Sequence, residues 1–170
     1  MHLIIDGYNL IRQSPALRHL DARDLEAGRE ALLLRLAAYR RRRPGHRLTV
    51  VFDGWQNGGF TETRDLSHGV QVIYSRRGER ADEVIKRLLA REGPRALVVT
   101  SDRELQLRAE AVGAAWVSAL EFDLRAAQAV APPADPEEED APPLRGPAKK
   151  GPARRLSKRE RRRRQRLRNL

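Results

Sequence analysis

Five short aliphatic runs, spaced by helical stripes, constrain this chain more than any other feature of its sequence. They are His2–Ile5, Arg47–Phe52, Val70–Tyr74, Ala96–Thr100 and Ala114–Val117. Each is brief and rich in β-branched residues, as buried strands are. Between them the apolar period changes to about 3.6 residues. Asp24 to Arg41 carries Leu25, Leu32, Leu33, Leu36 and Ala37 on one stripe, and Ala81–Arg91 carries Val84, Ile85, Leu88 and Leu89. Asp102–Val112 and Ser118–Val130 repeat the pattern, and Ser118 with Glu121 fits a capping box. Pro44-Gly45, Gly93-Pro94 and Gly113 mark helix ends. The order β-α-β-β-α-β-α-β-α predicts a three-layer α/β/α sandwich around a mainly parallel sheet of about five strands. Ligands of such folds bind beyond the carboxyl ends of the strands.

The aliphatic runs all fall within residues 1–130, which form the predicted domain. Residues 131–143, APPADPEEEDAPP, read as an acidic, proline-rich linker. Residues 144–170 read as a basic tail with no core of its own, able to become helical on a polyanion from Leu156 onward. The net charge of +11 divides accordingly: +4 in the domain, −5 in the linker and +12 in the tail. The bases are nearly all arginine, which suits bidentate phosphate contacts but also follows from a GC-rich genome. No apolar run is long enough to span a bilayer, and the strand-like start predicts no signal peptide. These features predict a cytoplasmic protein. The absence of cysteine excludes thiolate metal sites, and the four histidines are too scattered to suggest zinc.

Attention therefore falls on the strand ends. Asp6 follows the first run, Asp53 the second and Asp102 the fourth, while Asp82 opens the helix after the third. Asn9, three residues past Asp6, can return an amide oxygen to the same place. Singly, each has an ordinary explanation. Asp102 would cap the helix that follows it, and Asp82 suits a first helical turn. Together they would share one rim. Two carboxylates about 4 Å apart repel by about 4 kcal/mol at an effective dielectric near 20, so the cluster calls for cations. Oxygen-only ligands suit one or two Mg²⁺ or Mn²⁺ ions, which can activate water and steady the leaving oxygen of a phosphodiester.

The segments Leu3-Ile4-Ile5-Asp6-Gly7-Tyr8-Asn9, Val50-Val51-Phe52-Asp53-Gly54, Gly78-Glu79-Arg80-Ala81-Asp82 and Val99-Thr100-Ser101-Asp102 resemble the YacP-like branch of the NYN domain family, within the PIN-like nuclease fold. The resemblance covers about residues 1–128. It implies a metal-dependent endoribonuclease whose acidic site maps onto Asp6, Asn9, Asp53, Asp82 and Asp102.

Arg76, Arg77 and Arg80 precede Asp82 and can grip RNA phosphates or form an ordinary solvated loop. Glu79 can assist a water or be a solvated loop acid. Trp55 and Phe60, in a glycine-rich loop past Asp53, can stack an unpaired base or anchor the loop. The tail residues Lys149, Lys150, Arg154, Arg155, Arg161, Arg162, Arg163 and Arg164 form a second polyanion candidate, sequence-blind and salt-sensitive. Both substrate RNA, single-stranded by this reading, and ribosomal RNA fit the tail. The runner-up reading is a non-catalytic RNA- or ribosome-binding protein, although a pure binder gains nothing from carboxylates facing phosphate. A dehalogenase-type phosphatase lacks its second Asp, a receiver domain lacks its Lys, and no P-loop is present.

Overall fold

The computed structural model of the chain describes residues 1–21, 24–54, 59–130, 158–168 and 170. Its centre is β1 (His2–Asp6), which pairs in parallel with β2 (Arg47–Phe52) on one side and β5 (Ala96–Val99) on the other. Beyond β2 lies β4 (Val70–Tyr74), and beyond β5 lies β6 (Ala115–Val117), both also parallel. An antiparallel edge strand, β3 (Thr63–Ser67), completes the order β3-β4-β2-β1-β5-β6. The sheet thus has six strands where about five were expected. The strand missing from the sequence reading is β3, whose side chains are almost all exposed. An edge strand with no buried face has no apolar alternation to betray it.

Seven helices are described: α1 (Gly7–Gln13), α2 (Arg18–Asp21), α3 (Leu25–Arg42), α4 (Ala81–Glu92), α5 (Arg103–Ala111), α6 (Ala119–Val130) and α7 (Lys158–Arg168). Alternation along the strands sorts them into two layers. Leu3 and Ile5 of β1, with Val50 and Val99, meet Leu10, Leu32, Leu36 and Phe122 from α1, α3 and α6. Ile4, Val51, Ile73 and Val98 meet Val84, Ile85, Leu89 and Leu105 from α4 and α5. The three-layer α/β/α sandwich is as expected. Ser118 caps α6 through Glu121 N at 3.2 Å, but the Glu121 side chain turns to Arg125 and does not close the box.

One polar pin crosses the first layer. Asp123 of α6 is 4% exposed. It accepts a hydrogen bond from Ser14 Oγ at 2.8 Å and lies 2.8 Å from Arg35 Nε. It thereby joins the end of α1, the middle of α3 and α6, three elements distant in sequence.

The tail helix packs against the domain. Arg166 donates to the main-chain oxygens of Pro94 and Ala96, just ahead of β5, and Arg125 Nη1 donates to Leu167 O at 2.6 Å. Leu170 is 4% exposed and belongs to the same core cluster as Leu3 and Phe122. Its main-chain oxygen accepts from the Tyr39 hydroxyl at 3.2 Å and from Arg43 Nε at 3.1 Å. The tail was expected to have no core of its own; Leu167, in a helix whose other positions are nearly all charged, and Leu170 just beyond it pack against the core of the domain.

Two stability predictions follow from these contacts. Replacing Asp123 with Ala removes the carboxylate beside Arg35 Nε and the partner of Ser14 and should cost about 3 kcal/mol, visible as a lower urea midpoint; an unchanged midpoint would show that the pin is dispensable. Ending the chain after residue 157 removes the burial of Leu167 and Leu170 and should cost about 2 kcal/mol in the same measurement.

Candidate active site

Parallel pairing of β1 with both β2 and β5 aligns the carboxyl ends of three strands. Asp6 ends β1, Asp53 follows β2, and Asp102 follows β5 by way of Thr100 and Ser101. Asp82 enters from the second layer, in the first turn of α4. All four, with Asn9 and Arg80, line one cleft of about 890 Å³.

Asp6 is the most constrained of them. It is 9% exposed and caps α1, accepting from Asn9 N at 3.2 Å and, through its other oxygen, from Thr100 Oγ1 at 3.3 Å. Its neighbour Gly7 is dictated by space. A Cβ at that position would stand 2.4 Å from the Phe52 ring and 3.0 Å from Val51 O. Only glycine lets α1 start so close to β2, directly behind the carboxylate. Burial pushes the Asp6 pKa up to about 6, and the charges of Asp82 and Asp102 add to that; the hydrogen bonds from Asn9 and Thr100 oppose it. Burial also raises Asp82, with Asp102 adding to the rise and Arg80 opposing it.

The remaining residues hold this arrangement. Asn9 Oδ1 accepts from Ser101 N at 2.8 Å, tying the loop after β1 to the loop after β5. Asp102 Oδ1 caps α5 through Glu104 N at 2.7 Å and Leu105 N at 3.1 Å, so the ordinary reading of this residue holds alongside its place in the cleft. Ser75, 1% exposed, accepts from Gly54 N at 2.9 Å and donates to Glu79 O at 2.6 Å. It thereby links the loops after β2 and β4. Asp82 lies 3.2 Å from Arg80.

The set is all oxygen, and the charges of Asp82 and Asp102 add to the effect of burial on Asp6. That chemistry fits a hard divalent cation. As the side chains stand, among the described residues no three acidic or histidine groups converge on one point. Asp82 is turned onto Arg80 and Asp102 onto α5, so holding an ion would require Asp82 to exchange its arginine for the cation.

Other expected residues fall elsewhere. Arg76 and Arg77 are exposed and do not line the cleft; Arg76 lies 3.5 Å from Glu79. Glu79 is neither solvated nor beside the reacting region, because Arg87 and Arg76 hold it away from the cleft. Phe60 is 93% exposed and anchors nothing, while Trp55 lies outside the described residues. Lys149, Lys150, Arg154 and Arg155 also lie outside them. Arg161 and Arg164 are exposed on α7, and Arg162 and Arg163 lie within the same helix. Since α7 binds main-chain oxygens ahead of β5, it sits at the opposite end of the strands from the cleft. Conversely, the cleft includes Tyr8, Arg12, Arg29 and Tyr74. Tyr8 packs beside the site, against Phe52. The two arginines gave no sequence signal: Arg12 sits on the unanticipated α1, and Arg29 is one arginine among many on α3.

The model of the YacP-like NYN domain matches residues 3–169, carrying the likeness through the linker and tail, beyond the motifs that end near residue 102. The chain is 38% identical over 86 residues to the uncharacterized protein YacP of Bacillus subtilis (strain 168), covering 51% of this chain. The match spans about half the length of that relative, 49%. Two crystal structures of Rae1 (YacP) from Bacillus subtilis, one of them a mutant, superpose with a TM-score of 0.63 at 32% identity. They cover 75% and 76% of this chain, and 76% and 75% of their own. On sequence and fold, the chain belongs to the YacP-like NYN domain family.

Proposed function

We propose that this protein is a divalent-metal-dependent endoribonuclease that hydrolyses phosphodiester bonds of single-stranded RNA in the acidic cleft. NYN domains are generally of nuclease type. The observation that carries the reading is the buried Asp6 carboxylate, held by Asn9 and Thr100 while Asp82 and Asp102 crowd its charge. Such an arrangement is unfavourable in isolation and becomes favourable around a cation.

Asp6, Asp53 and Asp82 would hold Mg²⁺ or Mn²⁺, with Asp102 and Asn9 completing the shell directly or through water. The ion would lower the pKa of a bound water and stabilise charge on the leaving oxygen. The protein's own contribution is positional. Thr100 and Asn9 fix the Asp6 carboxylate from two sides, and the Asn9–Ser101 bond keeps Asp102 in step with Asp6. Arg80 can leave Asp82 for a substrate phosphate as the cation arrives. The exposed Phe60, next to the cleft residue Gly59, is available to stack a base. The arginines of the tail would add sequence-blind affinity for substrate or ribosomal RNA at the far end of the molecule. Among the described residues no helix is long and apolar enough to cross a membrane.

Replacing Asp6 with Asn should abolish cleavage of labelled single-stranded RNA in Mg²⁺ or Mn²⁺ while leaving RNA binding intact. Thr100→Val should slow cleavage roughly 10- to 100-fold. Undiminished cleavage by the Asp6 variant, or in EDTA, would sink the metal mechanism; binding without cleavage by the native chain would favour the non-catalytic alternative.

A pH-dependent stability difference should accompany this. In the unfolded chain Asp6 ionises near 3.8, and in the folded chain near 6. Its ionisation therefore destabilises the metal-free fold progressively between about pH 4 and 6, reaching about 3 kcal/mol above that. Asn keeps the helix cap without the charge. In EDTA, Asp6→Asn should melt at a higher temperature than the native chain above pH 6, with the gap closing below pH 4. Millimolar Mn²⁺ should raise the native melting temperature and not that of the variant. Equal responses to Mn²⁺ would remove Asp6 from the ion's shell.

A further inference from the structure

Besides the acidic rim, the same cleft has a basic and aromatic wall. Arg29 of α3 donates from Nη1 to the Tyr8 hydroxyl at 3.1 Å, and its guanidinium carbon lies 5.8 Å from the centre of the Tyr74 ring. The guanidinium of Arg12 lies 5.6 Å over the Tyr8 ring. Those rings are rooted in the core: Tyr8 meets Phe52 edge-on at 5.3 Å, and Phe52 stacks on Tyr74 at 5.7 Å. Phe52 is fully buried and is the residue that ends β2, immediately before Asp53. The wall and the acidic rim are therefore mounted on one rigid strand end.

The partners of Arg29 distinguish it from the arginines nearby. Arg80 is compensated by Asp82, and Arg76 by Glu79. Arg29 is half-buried, its hydrogen bond goes to a neutral phenol, and its charge rests on a ring. Among the described residues no carboxylate lies within ion-pair distance of it. A guanidinium carries five donors, and this one has most of them unspent in a cleft wide enough for a ligand. Holding a cation there without a counter-charge is useful where an anion arrives from outside.

We propose that Arg29 is the anchor of a phosphate subsite that takes a backbone phosphate of the RNA strand flanking the scissile one. The proposal rests on the endoribonuclease reading and deepens it. A strand reaching the carboxylates brings several negative charges toward an already acidic rim, and a cation lining the same cleft offsets that repulsion. The ring faces of Tyr8 and Tyr74 that carry the guanidinium groups are not available to stack bases. This subsite therefore reads the backbone and is indifferent to sequence.

The test uses the full chain carrying Asp6→Asn, so that RNA is bound and not cut, with a labelled oligouridylate as probe. Anisotropy titrations at several salt concentrations give both affinity and salt slope. Adding Arg29→Ala should weaken binding roughly tenfold and flatten the slope of log K against log salt by about 0.7. Arg29→Lys should keep the slope and recover only part of the affinity, since a point charge replaces a fork of donors. Arg108→Ala, on the outer groove between α4 and α5, should leave affinity and RNA cleavage close to those of its parent. In the chain with Asp6 intact, Arg29→Ala should raise KM more than it lowers kcat. Melting temperatures report whether each variant folds. If Arg29→Ala binds with unchanged affinity and slope, the subsite is overturned while the nuclease reading stands. If the flattening appears but Asp6→Asn still cleaves, the nuclease mechanism fails and the subsite stands. A chain that binds no RNA at all overturns both.

Discussion

The rest of the structure is organised around a carboxylate buried at the end of its central strand. Asp6 can be there because three features of its surroundings act together. Asn9 N and Thr100 Oγ1 each occupy one carboxylate oxygen, and Gly7 lets the backbone turn into α1 against Phe52. The parallel partners β2 and β5, reached through helical crossovers, then bring Asp53 and Asp102 to the same edge. Only the Asn9 contact is local; Thr100 and Phe52 reach Asp6 and Gly7 from distant parts of the chain. The concentration of negative charge is a property of the topology, since it arises only when β1 lies between strands from distant parts of the sequence.

That division explains what could be read from the sequence. Strands buried on both faces declare themselves as continuous aliphatic runs, and five of the six did so. Asp6, Asp53, Asp82 and Asp102 were legible because topology places residues after parallel strands on one rim whatever the details of packing. The antiparallel β3 was hidden because Thr63–Ser67 buries almost nothing. The turn His68-Gly69, with φ of 51° and 78°, was the available signal for its hairpin. The seven-residue α1 is too short to display a helical stripe, and with it went Arg12. Arg29 was invisible for a different reason. A cation on a helix face is defined by what stands opposite, and Tyr8 and Tyr74 come from two other elements. Glu79 was misjudged in both of its sequence readings because Arg87, eight residues on, reaches back to it.

Charge segregation along the chain does not survive folding in the way composition suggested. The tail holds most of the net positive charge, yet α7 packs at the amino-terminal end of β5, away from the acids. Near the cleft, the cations that matter belong to the domain, whose net charge is small. The main store of positive charge and the acidic cleft thus lie in different parts of one chain, joined through the contacts of Leu167, Leu170 and Arg166.

The docking of α7 also bears on how the sheet ends. An open sheet has two unpaired borders, each a template for another chain. On one border, β3 is short and carries exposed Arg64 and Asp65, which discourage a second strand. On the other, β6 has only three residues, Ala115–Val117, with Ala115 and Val117 buried and no charge among them. The helix α7 lies against this border. The helix α7 therefore covers the less protected edge of the sheet, a structural role that the arginine-rich composition of the segment does not suggest.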